Sequence, residues 1–302
     1  MSHFIGVDIG GTSVNLGLFN ERMELLGRGD ALSMADTGSG DELVERLAGR
    51  IDALLASRAL ERGDLASVGL GCPGPLDSMK GVILETPNIP FLWRYPLSES
   101  MLAKLHCPVA LDNDANLFAL GEAIGGAGKG LDYVIGVTLG TGFGFGIVLN
   151  GRVYRGATGT AAEYGLTPWT EGGELWEDTV SASGVVKAYH RLGGKAATAL
   201  QVYELAEDGD ENAQAVWQRY GKVLGLSLVH VVNLLDPHMV VVGGEMAGAW
   251  SQFHAAMERS LKEYIFELPA AQLQVVPAKL GSDAPLLGAA AMAAALPARA
   301  AQ

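Results

Sequence analysis

The chain has 302 residues, of which 49% are hydrophobic and 18% are charged, and its formal net charge is −13. This length accommodates about two domains, and the negative charge disfavours a general binder of nucleic acid or anionic membranes. Two cysteines exclude a disulfide framework or a cysteine-rich metal cluster, and no signal sequence or long apolar run is present, so we expect a cytoplasmic protein.

The first part of the chain predicts strands and a helix in alternation. Apolar runs over residues 4–8 and 14–19 are separated by IGGTS and predict a β-hairpin. Leucine, valine and isoleucine at helical spacing predict a helix over 43–55. Two strands are expected at 66–71 and 108–114, the second with an acidic end.

The middle of the chain carries a run of closely spaced glycines. Residues 132–140 and 145–150 predict a second hairpin around this run. Asn150-Gly151 predicts a tight turn into a third strand over 152–156. Glycine in a strand costs stability, so we expect another group to approach this backbone closely.

The last part of the chain again alternates between helices and strands. The predicted elements are a helix over 213–235 that stops before Asp236-Pro237, a strand over 239–244, a helix over 250–266, a strand over 273–280 and a helix over 285–296, with the Ala-rich tail 289–301 fraying at its end. Each half of the chain opens with a glycine-bearing hairpin and continues with helices. This order predicts two related α/β domains and disfavours a single barrel.

Two turns have the composition of an anion-binding site. In the first, Asp8 ends a strand, and Gly10, Gly11 and Thr12 supply backbone N–H groups and a hydroxyl. Asp8 is also a carboxylate of the kind that holds Mg²⁺ through water. The simpler interpretation is a plain β-turn.

The second turn, Gly140-Thr141-Gly142, has the same chemistry at the equivalent place in the second half. Two such turns suggest that both bind one polyphosphate, although an ordinary twisted hairpin is the simpler interpretation. The chain contains no GxxxxGK[ST] sequence, and the glycine run does not open a helix. A P-loop and a dinucleotide-binding fingerprint are therefore both disfavoured.

The third motif, LDNDAN, lies between a predicted strand and a predicted helix. Its Asp114 has the chemistry to accept the proton of a hydroxyl nucleophile, as phosphoryl transfer to an alcohol requires. The competing interpretation is a helix N-cap, which Asp and Asn both favour.

These stretches together resemble the ROK family of bacterial sugar kinases and related repressors. The resemblance rests on VDIGGT, GCPGPLD, TPNIP, LDNDAN, LGTGFGFGIVLNGRVYRGATGTAAEYG, VNLLDPHMVVVGG and PLLGAA in this order. It implies an α/β fold of two actin-like, ribonuclease-H-like domains with the active site in the cleft between them. The implied domains are 1–115, joined by a C-terminal helix at about 285–302, and 116–284.

The resemblance also implies an activity, which is the Mg²⁺-assisted transfer of phosphate from ATP to a hexose or hexose derivative, usually at the 6-hydroxyl. Asp114 matches the catalytic base of the family. The residues that match sugar-binding positions are Gly74, Asn88, Asn113, Glu163 and Glu177, with Asp178 as the second possible register for Glu177. The residues that match ATP-binding positions are Asp8, Gly10, Gly11, Thr12, Gly140, Thr141, Gly142, Gly243 and Gly244. Homodimers are common in the family, so a homodimer is expected.

The chain departs from the family pattern after Glu163. Leu166 stands where glucokinase-like members have a histidine, and residues 167–184 contain no cysteine. We therefore expect no structural zinc, and we expect packing by Trp169 and Trp176 to hold the loop instead. Because these positions differ from the family pattern, the sequence does not identify which sugar is the substrate.

Three competing functions stand beside an ATP-dependent sugar kinase. A transcription repressor is disfavoured by the acidic charge and by the predicted first strand at residue 4, which leaves no preceding helix-turn-helix. A sugar-binding protein without activity and a kinase that uses polyphosphate as its phosphate donor both stay open. Trp93 and Tyr95 are either sugar-stacking groups or, more simply, packing groups of their loop.

Overall fold

The structure is a computed structural model that describes residues 2–35 and 37–296. The described strands are, in chain order, β1 (His3–Ile9), β2 (Ser13–Phe19), β3 (Leu25–Arg28), β4 (Leu32–Ser33), β5 (Leu65–Cys72), β6 (Leu76–Asp77), β7 (Val82–Ile83), β8 (Val109–Asn113), β9 (Tyr133–Leu139), β10 (Phe143–Leu149), β11 (Arg152–Val153), β12 (Met239–Gly243) and β13 (Gln274–Pro277). The described α-helices are α1 (Gly40–Ala56), α2 (Leu97–Leu105), α3 (Asp114–Gly125), α4 (Trp176–Thr179), α5 (Ala182–Arg191), α6 (Ala199–Glu207), α7 (Glu211–Leu235), α8 (Trp250–Lys262), α9 (Glu267–Gln272) and α10 (Asp283–Ala294). The predicted α/β class is confirmed.

The chain forms two compact units. Unit 1 contains Met1–Gly130, Gly146–Ala161 and Leu280–Gln302, and unit 2 contains Leu131–Phe145 and Ala162–Lys279. Among the described helices, none is both long and apolar enough to cross a membrane.

The main sheet of unit 1 has the strand order β3-β2-β1-β5-β8, with β4 also paired to β2. β1 and β2 form the predicted antiparallel hairpin, whereas β1, β5 and β8 run parallel. The register places Asp8 opposite Gly71, and Gly71 opposite Asp112. The last residues of these three strands therefore lie along one edge of the sheet, where ligands bind in open α/β sheets.

Helix α10 packs on β1, β5 and α3, and glycines make this approach possible. A Cβ atom on Gly6 or Gly69 would lie 1.9 Å from a backbone oxygen of α10, and so would one on Gly121 of α3. This packing explains why α3 belongs to unit 1, whereas the sequence-based boundary at residue 115 assigns it to the second domain. Helices α1 and α2 contribute to a second apolar core in the same unit.

The second large sheet has the order β11-β10-β9-β12-β13, in which β9, β12 and β13 are parallel and lie in unit 2. Gly243 of β12 lies opposite Thr138 of β9, so the glycine-bearing turns after both strands lie at the same edge. The long helix α7 packs closely against α8. A Cβ atom on Gly221 or Gly225 of α7 would lie within 2.3 Å of a backbone oxygen of α8.

Several predicted elements have other bounds in the structure. The strand expected over 152–156 is only Arg152–Val153, because the side chain of Arg155 turns to bind Asp112 and Gly156 adopts a φ of +68°. The helix expected over 250–266 ends at Lys262 and is followed by the separate helix α9. The last helix ends at Ala294, and residues 297–301 of the predicted Ala-rich tail lie outside the described residues.

Candidate active site

The turn between β1 and β2 presents backbone N–H groups at the carboxyl edge of the unit 1 sheet. The N–H of Gly10 donates to the carbonyl oxygen of Ser13 at 2.9 Å and closes the turn. A Cβ atom on Gly11 would lie 3.3 Å from Cβ of Asn88, so the turn packs against the loop that carries this asparagine. Thr12 is exposed. The fold thus brings a predicted phosphate-binding turn next to a predicted sugar-binding residue.

Two carboxylates interact at this edge of the sheet. Burial, and to a smaller extent the charge of Asp114, raise the pKa of Asp8 to about 6. Burial also raises the pKa of Asp114, against the effect of the N–H donors around it. Burial and the same two carboxylates raise the pKa of the Cys72 thiol. The site therefore carries negative charge that burial makes unfavourable, which is a property of functional carboxylates.

Asp114 is the first residue of α3, and Asn113 is its N-cap. Oδ1 of Asn113 accepts hydrogen bonds from the N–H groups of Ala115 at 2.9 Å and Asn116 at 3.4 Å. The motif therefore does cap a helix, as the competing interpretation holds, but the capping residue is Asn113 and not Asp114. Asp114 also accepts a hydrogen bond from Ala115, at 2.9 Å. The capping bonds fix the Asn113–Asp114 pair at the end of β8.

Asp112 is a buried carboxylate for which the sequence predicts no role. It is fully buried and binds the Nε of Arg155 at 2.5 Å. Its other oxygen accepts hydrogen bonds from Nδ2 of Asn116 and from the N–H of Asn113. The one signal in the sequence is that LDNDAN holds a further acidic residue two positions before Asp114.

The loops after β5 contain three more of the predicted residues. Gly74 lies two residues beyond the end of β5. The hydroxyl of Tyr95 donates to Asp41 at 2.6 Å, and its ring covers Gly40 at the start of α1. Tyr95 is therefore a packing group. The ring of Trp93 is half-exposed, and its Nε1–H donates to the carbonyl oxygen of Thr86.

In unit 2, the turn Gly140-Thr141-Gly142 leaves open space beside its first glycine, because a Cβ atom on Gly140 would have no neighbour within 4 Å. The carbonyl oxygen of Gly140 accepts a hydrogen bond from Ala182 at 2.9 Å. A Cβ atom on Gly142 would lie 3.2 Å from Oε2 of Glu177. Glu177 is therefore placed beside the predicted phosphate-binding turn.

A cavity of about 930 Å³ opens next to this turn, entirely within unit 2. Its polar lining includes Thr141, Ser183, Lys187, His190 and Glu245. Its apolar walls come from α5, α6, α7 and the residues after β12. A cavity of this size, with apolar walls and a few polar groups, is typical of a binding site for a nucleoside-sized ligand. The sequence does not reveal this cavity, because these helices carry no motif.

Gly243 and Gly244 lead from β12 to this cavity. Gly244 has a φ of +84°, a conformation that L side chains rarely adopt. A Cβ atom on it would lie 2.2 Å from the carbonyl oxygen of Leu139, directly before the Gly140 turn. The two predicted glycine turns of unit 2 are therefore packed against each other.

The segment from Glu163 to Trp176 is held by aromatic packing. The rings of Trp169 and Trp176 stack with centroids 5.1 Å apart and planes 17° apart. The hydroxyl of Tyr164 donates to the carbonyl oxygen of Ser227 at 3.0 Å. Within the described residues, no group of three or more His, Cys, Asp or Glu side chains forms a metal site.

Glu163 is exposed at the start of the 3-10 turn Tyr164–Leu166, and the side chain of Leu166 is 51% exposed. Leu166 therefore fills no core position.

Comparison with known proteins assigns the chain to a family. The model of the ROK family matches residues 4–295. The chain is 30% identical to a glucokinase of Halalkalibacterium halodurans, over 94% of this chain and 93% of that one. It is 31% identical to an N-acetyl-D-glucosamine kinase of Photobacterium profundum, over 95% and 98% of the two chains.

Among solved structures, the fold resembles that of a ROK family glucokinase from Streptomyces griseus in complex with glucose and AMPPNP. The TM-score is 0.79 at 29% identity, over 97% of this chain and 99% of that one. The predicted actin-like fold class is thereby confirmed.

Proposed function

The chain belongs to the ROK family, and from this premise we propose that it transfers the γ-phosphoryl group of ATP to a hydroxyl group, most simply the 6-hydroxyl, of a hexose or hexose derivative. The protein is a carbohydrate kinase, as its relatives' names state for them. The observation that carries the proposal is the position of Asp114. This carboxylate lies at the end of β8 and is fixed by the capped start of α3, close enough to Asp8 to raise its pKa.

In the proposed reaction, Asp114 accepts the proton of the attacking sugar hydroxyl. A bond forms between the sugar oxygen and the γ-phosphorus, the bond from that phosphorus to the bridging oxygen breaks, and ADP leaves. The raised pKa of Asp114 makes it a stronger base than an ordinary carboxylate. We propose that Asn88, Asn113, Gly74 and Glu163 form the sugar site.

The ATP site is proposed on two features of the structure. The cavity beside Thr141 has the volume for an adenosine, and Gly244 brings the backbone close to the Gly140–Gly142 turn. Gly10, Gly11 and Thr12 offer further donors for phosphate oxygens. The position of Glu177 beside Gly142 favours a role near the phosphates over the predicted contact with the sugar.

The residues present fit a magnesium ion. Asp8 is a carboxylate whose charged form is disfavoured by burial and by Asp114, and a nearby cation would relieve both effects. When bound with ATP, Mg²⁺ neutralises phosphate charge. We propose that Asp8 holds it.

Three further features belong to the proposal. Use of ATP fits a cytoplasmic location. For the proposed homodimer, the exposed apolar side chains of Leu234, Tyr264, Phe266 and Leu268 in unit 2 are candidate interface residues. The sugar is a glucose-like or N-acetylglucosamine-like hexose, and Leu166 is the residue that we expect to distinguish among them.

The test is an ADP-release assay with MgATP against a panel of hexoses and N-acetylhexosamines, repeated with polyphosphate as donor. The assay compares wild type, Asp114→Asn and the control Asp30→Asn, whose side chain is 93% exposed. Turnover on one sugar that falls by about 10³-fold in Asp114→Asn and is unchanged in Asp30→Asn supports the proposal. Sugar binding without turnover from either donor would instead indicate a binding protein without kinase activity.

A further inference from the structure

The ion pair between Asp112 and Arg155 joins two parts of unit 1 that are 43 residues apart in the chain. The Asp112 side chain is fully buried, whereas that of Arg155 is 32% exposed. One oxygen of Asp112 accepts the Arg155 Nε–H at 2.5 Å. The other accepts Nδ2–H of Asn116 at 2.9 Å and the backbone N–H of Asn113 at 2.8 Å. Asp112 thus binds groups on both sides of Asp114.

The segment that carries Arg155 also touches the start of α3 at a second point. A Cβ atom on Gly146 of β10 would lie 2.3 Å from the carbonyl oxygen of Ala115. The arginine itself is held by its own loop, because its carbonyl oxygen accepts a hydrogen bond from Ala161 at 3.1 Å and Gly156 turns the chain with a φ of +68°. Residues 146–161 therefore support the start of α3 through a backbone contact and through an ion pair.

We propose that Asp112 and Arg155 are positioning residues for the reaction proposed above, and that they hold Asp114 at the angle required for proton transfer. The ion pair with Arg155 holds the carboxylate of Asp112 in place. This carboxylate in turn holds the N–H of Asn113 and the side chain of Asn116, and Asp114 lies between those two residues in the chain. The pair does not itself touch the reacting atoms.

Physical chemistry favours this role over a purely stabilising one. Desolvation of a buried ion pair costs about as much as the pair returns, so apolar residues of similar volume often stabilise a fold as well or better. The pair instead fixes the orientation of the groups around Asp112, because this carboxylate accepts three hydrogen bonds from three separate groups. A general base gains most from such fixation, because small displacements of a catalytic group are costly.

The experiment compares wild type with Arg155→Ala, Arg155→Lys and the control Arg28→Ala. Arg28 forms an ion pair with Asp283 at 2.5 Å in the same unit, and it is the exposed last residue of β3. Steady-state kinetics give kcat and the KM values for sugar and ATP, and Arg155→Ala is also assayed with added guanidinium ion. Hydrogen exchange followed by mass spectrometry reports on peptides that cover residues 112–118, and this readout needs no activity.

The expected result for Arg155→Ala is a kcat lowered by about 30- to 100-fold, with KM values changed by less than about threefold, and faster exchange over residues 112–118. Guanidinium should restore part of the kcat of Arg155→Ala. The kcat of Arg155→Lys should lie between those of wild type and Arg155→Ala, because lysine keeps the charge but lacks the planar donor group. Arg28→Ala should match wild type in both measurements.

An unchanged kcat with unchanged exchange in Arg155→Ala would overturn the inference while the kinase proposal stands. An inactive wild type would overturn the kinase proposal, and the exchange measurement would still decide whether the pair orders the Asp114 turn. If Arg155→Ala fails to fold, Arg155→Lys carries the same two measurements. Wild-type kcat and exchange in that variant would then overturn the inference.

Discussion

Replacement of Asp8 by asparagine is expected to make the folded protein more stable at neutral pH while it removes most of the kinase activity. The pKa of Asp8 rises from 3.8 to about 6 on folding, because burial and Asp114 disfavour its charged form. A carboxyl with this change has its charged form destabilised by roughly 3 kcal/mol, at about 1.4 kcal/mol per pKa unit. Asparagine has almost the same shape and carries no charge.

The effect has a defined pH dependence. Well below pH 4, Asp8 is protonated in both the folded and the unfolded chain, so it does not lower the stability of the folded state. Between about pH 4 and 6, the unfolded chain loses the proton first, so the stability of the folded state falls as the pH rises. Above about pH 6, the charged Asp8 lowers the stability of the folded state by the full amount. The stabilisation in Asp8→Asn should therefore be small near pH 4 and complete at pH 8.

Thermal unfolding at several pH values, with and without Mg²⁺, measures this effect. A gain of roughly 3 kcal/mol corresponds to an increase in melting temperature of about 5 °C in a chain of this size. Mg²⁺ should raise the melting temperature of the wild type more than that of Asp8→Asn, because the variant lacks the proposed ligand. Asp30→Asn, at a side chain that is 93% exposed, is the control.

Two results would refute the reasoning. A melting temperature for Asp8→Asn at pH 8 that is equal to or below that of the wild type would mean that the carboxylate is not destabilising. A stabilisation of the same size at pH 4 and pH 8 would mean that charge is not its cause.

Two further predictions concern unit 2. Gly244→Ala should lower the melting temperature and raise KM for ATP at least tenfold, because the φ of Gly244 is +84° and the new Cβ would lie 2.2 Å from the Leu139 carbonyl oxygen. The control Gly63→Ala, where a Cβ meets no atom within 4 Å, should change neither quantity. Trp169→Ala should lower the free energy of unfolding by about 3 kcal/mol and raise KM for the sugar, because it removes the ring stacked on Trp176. Wild-type stability of this variant in a denaturation series would show that the stack does not hold the loop.

Much of the fold follows from patterns that the sequence displays directly. The hairpin of β1 and β2 follows from two apolar runs around a glycine turn, and the helix α7 follows from a long apolar periodicity that stops before Pro237. The ends of helices are less visible. Nothing in the periodicity of residues 250–266 indicates that the chain leaves the helix after Lys262 and starts a new one at Glu267.

The candidate site can be predicted only where a motif carries the chemistry. The Gly-Thr turns and Asp114 are contiguous signals, so the sequence displays them. The partnership of Asp112 with Arg155 is a contact across 43 residues, and no local pattern encodes it. The cavity walls on α5 and α6 are ordinary amphipathic helix residues, so they become a binding surface only through tertiary packing.

Glycine is required between residues 140 and 146 for at least two different physical reasons, and the sequence suggests only one of them. Gly140 leaves open space in the turn, as expected if a phosphate is to approach the backbone. Gly146 has the opposite environment, because its missing side chain allows β10 to touch Ala115 at the start of α3. In the proposed reaction, one stretch of chain offers a surface to the phosphates and also supports the helix that carries the catalytic base. A substitution at Gly146 would then act on kcat through Asp114, whereas a substitution at Gly140 would act on the binding of ATP.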